Sequence, residues 1–168
     1  AYPATSRSRT VRADLLWYPR LKADGVDLLH CPTFRGPFRS KPPLVVTVHD
    51  LAVLRHPETF NRWTRTYSRR LLPGVVRAAT RLIAVSEFTK RELLDLLDVP
   101  PEKVRVIPNA VGEPFTADGE AAAGDYVLAV STLEPRKNLP RLVEGYRRAG
   151  LNGLSLLVAG AAGWGGVH

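Results

Sequence analysis

Short apolar runs alternate with longer amphipathic stretches along this chain. The apolar runs are rich in Val, Ile and Leu and are bounded by Gly, Pro or polar residues, which is typical of buried strands. They comprise residues 26–30, 44–48, 82–85, 104–107, 126–130 and 154–159. Apolar positions at helical spacing predict helices over residues 59–80, 86–97 and 139–149. This alternation favours an α/β fold, in which a parallel sheet carries helices on both faces.

Local signals set the expected helix ends. Ser86 and Asn138 stand where helix N-caps are expected, and Gly150 stands where the last helix should close. Pro73-Gly74 predicts a kink or a break inside the helix over residues 59–80.

Residues 111–124 are small, polar and rich in Gly and Ala, which is typical of a linker. We therefore expect residues 1–110 to be the end of one α/β domain and residues 125–168 to be the start of another. The sequence contains no Met, opens on polar and basic residues and closes on a Gly-rich run. These features predict that the chain is a central piece of a longer protein.

The net charge of the chain limits the kinds of partner that we expect. A net charge of +8 and a pI near 10.1 favour phosphorylated ligands, an anionic membrane or nucleic acid. Nucleic acid is the weakest of the three because aromatic content is only 8% and no nucleic-acid-binding signature is present. The single Cys31 excludes an intramolecular disulfide and favours a reducing, cytoplasmic compartment. No apolar run approaches the ~18 residues that span a bilayer.

Polar residues that could catalyse a reaction or bind a ligand follow the predicted strands, at the point where each strand ends. Carboxyl ends of parallel strands share one edge of a sheet, and ligands bind there. The residues concerned are His30, His49, Asp50, Ser86, Glu87, Asn109, Thr132, Lys137 and Gly160 to Gly163. Simpler interpretations stay open: His30 as a packed loop residue and Ser86 as a helix cap. His49 is either functional or a sheet-edge residue, with Asp50 holding its tautomer or starting the next turn.

The turn before the last helix carries two adjacent cations, Arg136 and Lys137. A helix N-terminus already favours anions through its free N–H groups and its dipole. The turn therefore indicates phosphate binding, with an ordinary solvated turn as the alternative. No recognised metal-ligand spacing is present, so we expect no metal site.

A basic stripe is predicted on the helix over residues 59–80. Arg62, Arg65 and Arg69 fall at helical spacings. The stripe is either a solvated face or a surface that docks on anionic lipid. In the second case Leu71, Leu72, Val75 and Val76 pack inward or dip into the membrane interface.

Taken in order, several motifs resemble family 4 glycosyltransferases from about residue 25 to residue 164. They are Thr47-Val48-His49-Asp50-Leu51, Leu82-Ile83-Ala84-Val85-Ser86-Glu87, Val104-Arg105-Val106-Ile107-Pro108-Asn109, Leu133-Glu134-Pro135-Arg136-Lys137-Asn138-Leu139 and Leu157-Val158-Ala159-Gly160. The Leu-Glu-Pro-Arg-Lys-Asn run resembles bacterial mannosyl- or rhamnosyltransferases.

The resemblance implies the GT-B architecture of two Rossmann-like domains and metal-free transfer of a sugar from a nucleotide-sugar donor, with retention. It implies that Lys137 binds the donor diphosphate and that His49 faces the transferred sugar. Arg136, Thr132, Gly160 and Asn109 are the further donor-binding candidates. GDP-mannose is a candidate donor, and a glycan or lipid-linked glycan the acceptor. We expect a cytoplasmic protein that contacts the inner membrane face peripherally.

The chain also departs from the family pattern. Ser131-Thr132 replaces the Gly-Arg pair that many members carry before the lysine, and Ala110 replaces the Gly of Pro-Asn-Gly. The family's glutamate pair would follow His168, so we expect this chain to be inactive alone.

Two alternative functions stay open. One is a non-catalytic basic α/β module that binds an anionic membrane or a protein partner. The other is a GT-B epimerase or phosphorylase.

Overall fold

A computed structural model describes residues 25–113, 115 and 124–163. The chain divides into two compact units between Ala110 and Val111. Most of the expected linker, 111–124, lies outside the described residues, as do residues 1–24.

The first unit contains a four-stranded parallel sheet with strands in chain order. Its elements are β1 (Leu29–Cys31), β2 (Leu44–Val48), α1 (Ala52–Arg55), α2 (Arg62–Ala78), β3 (Arg81–Ala84), α3 (Glu87–Leu97) and β4 (Val104–Val106). Single 3₁₀ turns, Pro57–Thr59 and Pro101–Lys103, precede α2 and β4. The predicted parallel α/β arrangement is confirmed.

One face of this sheet forms the hydrophobic core. The strand register puts Val46 and Leu82 side by side on that face, where both are fully buried. Leu72 of α2 and Leu93 of α3 join them in a single cluster. Alternate strand residues, such as the half-buried Ile83, lie on the opposite face. Within the described residues the two long helices therefore cover one face, and no helix of the expected second layer is among them.

Helix α2 is shorter than predicted, and it is not broken at Pro73-Gly74. It begins at Arg62 because the side chain of Asn61 accepts a hydrogen bond from the backbone N–H of Thr64 at 2.9 Å, which caps the helix. Pro73 lies inside the helix and does not end it. Leu72 and Val75, on either side of the proline, are fully buried, so their packing favours continuation of the helix.

The second unit contains a two-stranded parallel sheet joined by one helix. Its elements are β5 (Tyr126–Val130), the 3₁₀ turn Pro135–Lys137, α4 (Leu139–Ala149) and β6 (Ser155–Ala159). Helix α4 ends at Gly150, which adopts the left-handed conformation (φ 58°) as predicted. Asn138 does occupy the cap position, but its φ of 50° is left-handed and its side chain caps nothing. The expected Asn138 side-chain cap was wrong.

Candidate functional site

The carboxyl ends of β2, β3 and β4 lie at one edge of the first sheet. The register pairs Val48 with Ala84 and Ala84 with Val106, so the chain leaves these strands at one level. His49 follows β2 directly and Asn109 follows β4, and both are exposed. The structure thus brings these two predicted site residues to the same sheet edge.

The ring of His49 is held by the loop after β1. Its Nε2 lies 3.0 Å from the carbonyl oxygen of Pro32. A carbonyl oxygen only accepts hydrogen bonds, so Nε2 carries the proton in the neutral imidazole. Nδ1 is then the nitrogen that accepts a hydrogen bond from a ligand.

Asp50 and His30 have local structural roles. The Asp50 carboxylate accepts a hydrogen bond from the backbone N–H of Ala52 at 3.0 Å, which starts the turn into α1. It is the Pro32 carbonyl, rather than Asp50, that contacts the His49 ring. His30 lies inside β1 instead of following it, and its Nε2 is 3.0 Å from the hydroxyl of Thr47 on the neighbouring strand. The structure therefore does not place His30 among the edge residues.

A hydrogen bond joins the start of α3 to His49. Ser86 caps the helix as predicted, because its Oγ accepts a hydrogen bond from the Thr89 N–H at 3.1 Å. The Thr89 hydroxyl donates to the backbone carbonyl of His49 at 3.1 Å. Thr89 is only 4% exposed, so this contact is shielded from water.

A second contact joins α1 to α3 beside the same edge. Arg55 Nε lies 2.9 Å from Glu92 Oε2, and Arg55 Nη2 lies 2.8 Å from Oε1, which is a bidentate geometry. Hydrogen bonding to Arg55 lowers the pKa of the Glu92 carboxyl below its usual range, despite the opposing effect of its burial. The same pair raises the pKa of Arg55. Glu92 therefore stays ionised inside the first unit.

In the second unit the loops after β5 and β6 are joined by their backbones. The Ser131 N–H donates to the Ala159 carbonyl at 2.9 Å, and the Leu133 N–H donates to the Ala161 carbonyl at 3.0 Å. A Cβ atom at Gly160 would lie 1.8 Å from the Ser131 carbonyl oxygen. Gly160 is thus required for close approach of the two loops.

Gly163 repeats this arrangement one step further along the loop. A Cβ atom there would lie 2.2 Å from the Leu133 carbonyl oxygen. Leu133 and Ala162 form an isolated parallel bridge, which continues the β5–β6 pairing past the strands.

The two cations of the turn before α4 differ in their surroundings. Arg136 Nη2 donates to Glu134 Oε1 at 2.6 Å, and Glu134 is mostly buried. The Lys137 side chain is exposed and makes no hydrogen bond or ion pair within the described part of the chain. Thr132, in the same segment, is exposed as well. Lys137 is therefore the more available cation for an anionic ligand.

Backbone donors are fewer here than the sequence suggested. The N–H groups of Lys137 and Asn138 donate to the carbonyls of Glu134 and Pro135 inside the 3₁₀ turn. Pro140, in the first turn of α4, has no N–H. The turn and the start of α4 therefore offer few free N–H donors to an anion.

The basic stripe on α2 is presented to solvent. Arg62 and Arg69 are exposed and Arg65 is half-buried. Among the described residues, none of the three forms an ion pair. The apolar residues that were expected to pack inward or to dip into a membrane are buried in the first unit: Leu71, Leu72, Val75 and Val76.

Two negative findings apply to the described residues. They contain no group of three His, Cys, Asp or Glu side chains that could hold a metal ion. No helix among them combines the length and apolar character needed to cross a membrane.

Comparison with known proteins identifies the family of this chain. The model of the family described as Glycosyltransferase Family 4 matches residues 2–112, about two thirds of the chain. The chain belongs to glycosyltransferase family 4. The expected family is therefore confirmed, and the matched region includes His49, Thr89 and Asn109.

Several curated proteins resemble this family 4 chain. O-antigen chain mannosyltransferase B of Escherichia coli is 27% identical over 92% of this chain and 45% of its own length. The serotype-specific mannosyltransferase WbdA of Escherichia coli is 25% identical over 61% of this chain and 14% of its own length. The D-inositol 3-phosphate glycosyltransferase of Acidothermus cellulolyticus is 31% identical over 56% and 24%. The chain thus spans less than half the length of each of these relatives.

Proposed function

We propose that this family 4 chain is part of a glycosyltransferase that moves a sugar from a nucleotide-sugar donor to a glycan or lipid-linked acceptor, with retention. Membership of the family and similarity to proteins named mannosyltransferases support this proposal. The observation that carries it is the exposed Lys137 beside a cation that is already neutralised, Arg136.

Lys137 has the properties that sugar transfer from a nucleotide requires. When the bond between the sugar's anomeric carbon and the phosphate oxygen breaks, negative charge develops on the departing diphosphate. A fixed ammonium group lowers the energy of that charge in the transition state. We assign Thr132 to hydrogen bonding with the same phosphates, and Gly160 to the close backbone approach that holds the segment in place.

His49 and Asn109 are the residues of the first unit in this proposal. With Nε2 donating to Pro32, the Nδ1 of His49 accepts a hydrogen bond from a hydroxyl of the transferred sugar. Asn109, exposed at the same sheet edge, supplies an amide donor and acceptor to the nucleotide sugar.

We propose GDP-mannose as the donor and a mechanism without a bound metal. The names of the two Escherichia coli relatives support the choice of sugar. A screen of nucleotide sugars on the full-length enzyme, with and without EDTA, tests both points. Transfer from another donor alone, or activity lost on chelation and restored by a divalent ion, would contradict them.

The test of the phosphate site compares single variants in the full-length enzyme by calorimetric titration of GDP-mannose. Lys137→Ala removes a charge-assisted contact of about 1.5–3 kcal/mol, so we expect affinity to fall by about 10- to 150-fold. Arg136→Ala is the matched control, because Glu134 already neutralises that guanidinium, and should change affinity several-fold less. Equal losses in both variants would refute the assignment of Lys137 as the principal cation.

We also propose that the basic stripe on α2 makes peripheral contact with an anionic membrane. Each cation near such a surface contributes about 1 kcal/mol, and the apolar side of α2 is buried, so the contact is electrostatic. Reversing Arg62, Arg65 and Arg69 to Glu should abolish co-sedimentation with phosphatidylglycerol vesicles. A control with the same charge change at the exposed Arg91, Arg141 and Arg147 should retain it.

The same variants separate this proposal from a non-catalytic docking module. If both triple variants bind vesicles equally, the stripe is a solvated face. If vesicle binding depends on the stripe but the full-length protein transfers no sugar from any nucleotide donor, the docking-module alternative is correct.

A further inference from the structure

We propose that Thr89 is a positioning residue for His49, an inference that rests on the proposed role of His49 at the reacting sugar. Thr89 lies in the first turn of α3, 40 residues beyond His49 in the sequence, and its hydroxyl contacts the His49 carbonyl. Because that hydroxyl is buried, the contact is maintained without competition from solvent.

The direction of the hydrogen bonds at Thr89 follows from the number of protons. Its hydroxyl has one proton, and the His49 carbonyl can only accept, so Thr89 donates to His49. The Ser86 hydroxyl, 3.0 Å from Thr89 Oγ1, then donates to Thr89 while its own oxygen accepts from the Thr89 N–H. All three contacts are satisfied at once in this arrangement.

Helix capping alone does not account for this hydroxyl. Ser86 already caps α3. In many helices the third helical residue is Glu or Gln, and its side chain accepts a hydrogen bond from the backbone N–H of the cap residue. Thr89 occupies that position here but donates to a different segment of the chain. Its hydroxyl thus fixes the backbone of His49 from the α3 side, while Pro32 fixes the ring from the β1 side.

The consequence is a defined His49 orientation. Catalytic contacts tolerate little displacement, and a misplacement of about 1 Å costs up to about 100-fold in rate. Thr89→Val keeps the shape of the side chain and removes the hydroxyl. In the full-length enzyme we expect kcat to fall by about 10- to 100-fold, with the KM for the donor changed by less than about threefold. Thr89→Ser retains the hydroxyl and should restore most of the rate.

Thr80→Val is the control for general damage to the sheet. Thr80 Oγ1 accepts a hydrogen bond from the Leu44 N–H at 3.1 Å, at the opposite end of the same strand, β2. This variant also removes a hydroxyl contact with β2, but it should leave kcat and KM unchanged. Equal kinetic losses in the Thr80 and Thr89 variants would overturn the proposal.

A spectroscopic measurement separates this inference from the role of His49 itself. In ¹⁵N spectra of the full-length enzyme at a pH where imidazole is neutral, with His49 assigned by His49→Gln, wild-type His49 should show a protonated Nε2 and an unprotonated Nδ1. Thr89→Val should move the two signals toward each other as the Pro32 contact loosens, whereas Thr89→Ser and Thr80→Val should not. An unchanged His49 spectrum in Thr89→Val refutes the positioning role. A changed spectrum with no rate loss in His49→Ala supports positioning but refutes the proposed role of His49.

Discussion

Replacing Gly160 with Ala should separate the loops that follow β5 and β6. The added Cβ would lie 1.8 Å from the Ser131 carbonyl oxygen, which is far inside contact distance. Relief of that overlap requires a shift of about 1.5 Å. The hydrogen bonds from Ser131 to Ala159 and from Leu133 to Ala161, now 2.9 and 3.0 Å long, would then exceed the usual limit.

Loss of two backbone hydrogen bonds at about 1 kcal/mol each gives a destabilisation of at least about 2 kcal/mol. An opening free energy lowered by that amount accelerates amide exchange by about 30-fold. Hydrogen exchange followed by mass spectrometry, on peptides covering residues 126–133 and 155–163, measures the change. The peptide of α2 should be unaffected, because α2 belongs to the other compact unit.

Gly145→Ala is the matched control, since it adds the same methyl group in the same unit. Outside the backbone of its own helix and its chain neighbours, no atom lies within 4 Å of a Cβ at Gly145, which is exposed in the middle of α4. Alanine favours a helix interior over glycine by about 0.8–1 kcal/mol, so this variant should slow exchange in α4. If Gly160→Ala leaves exchange unchanged, or if both variants act in the same direction, close approach is not the reason for glycine at position 160.

Three further substitutions test the first unit by urea unfolding. Ser68 is 1% exposed and its hydroxyl has no hydrogen-bond partner among the described residues, so Ser68→Ala should raise the free energy of unfolding by about 1 kcal/mol, and a loss would contradict this. Lys103 Nζ donates to two carbonyls at the end of α2 at 3.0 and 3.1 Å, so Lys103→Met should cost about 1 kcal/mol. Arg55 lowers the pKa of Glu92 in the folded state. The stability that ionised Glu92 contributes to the fold is therefore complete above its unfolded-state pKa of about 4.3, and it is lost as the pH falls through the folded-state pKa. Glu92→Gln should therefore be less stable than wild type at neutral pH and equal to it in acid.

The regular elements were predictable where local signals agree with packing. Strands β2 and β5 and helix α4 have the predicted bounds, since β-branched or amphipathic runs end there at polar, Gly or Pro residues. Strand β1 was predicted over residues 26–30 but runs from Leu29 to Cys31. Its start is set by pairing, because the Leu29 N–H donates to the Pro43 carbonyl just before β2 begins. The apolar run over residues 26–30 does not by itself encode where its partner strand lies.

The candidate site was predictable in its location but not in its internal contacts. Strand polarity alone places His49 and Asn109 at the carboxyl edge of the sheet. The pairing of Arg136 with Glu134 and the contact of Thr89 with His49 depend on side-chain directions, and the second joins residues 40 positions apart. Glu92, 37 positions from Arg55, gave no signal in the sequence for the same reason.

The two sheet edges are stabilised by different means, and this leads to a final prediction. Side-chain hydrogen bonds, including that of Thr89, fix the first edge, whereas backbone contacts at Gly160 and Gly163 fix the second. Under the proposed function, Lys137→Ala weakens stabilisation of the donor diphosphate, in the bound state and in the transition state, and Thr89→Val slows turnover through His49. Changes at independent groups combine additively in free energy within about 0.5 kcal/mol. The fold-losses in kcat/KM of the double variant should therefore equal the product of the single losses. A smaller combined loss would mean that donor binding itself determines the orientation of His49.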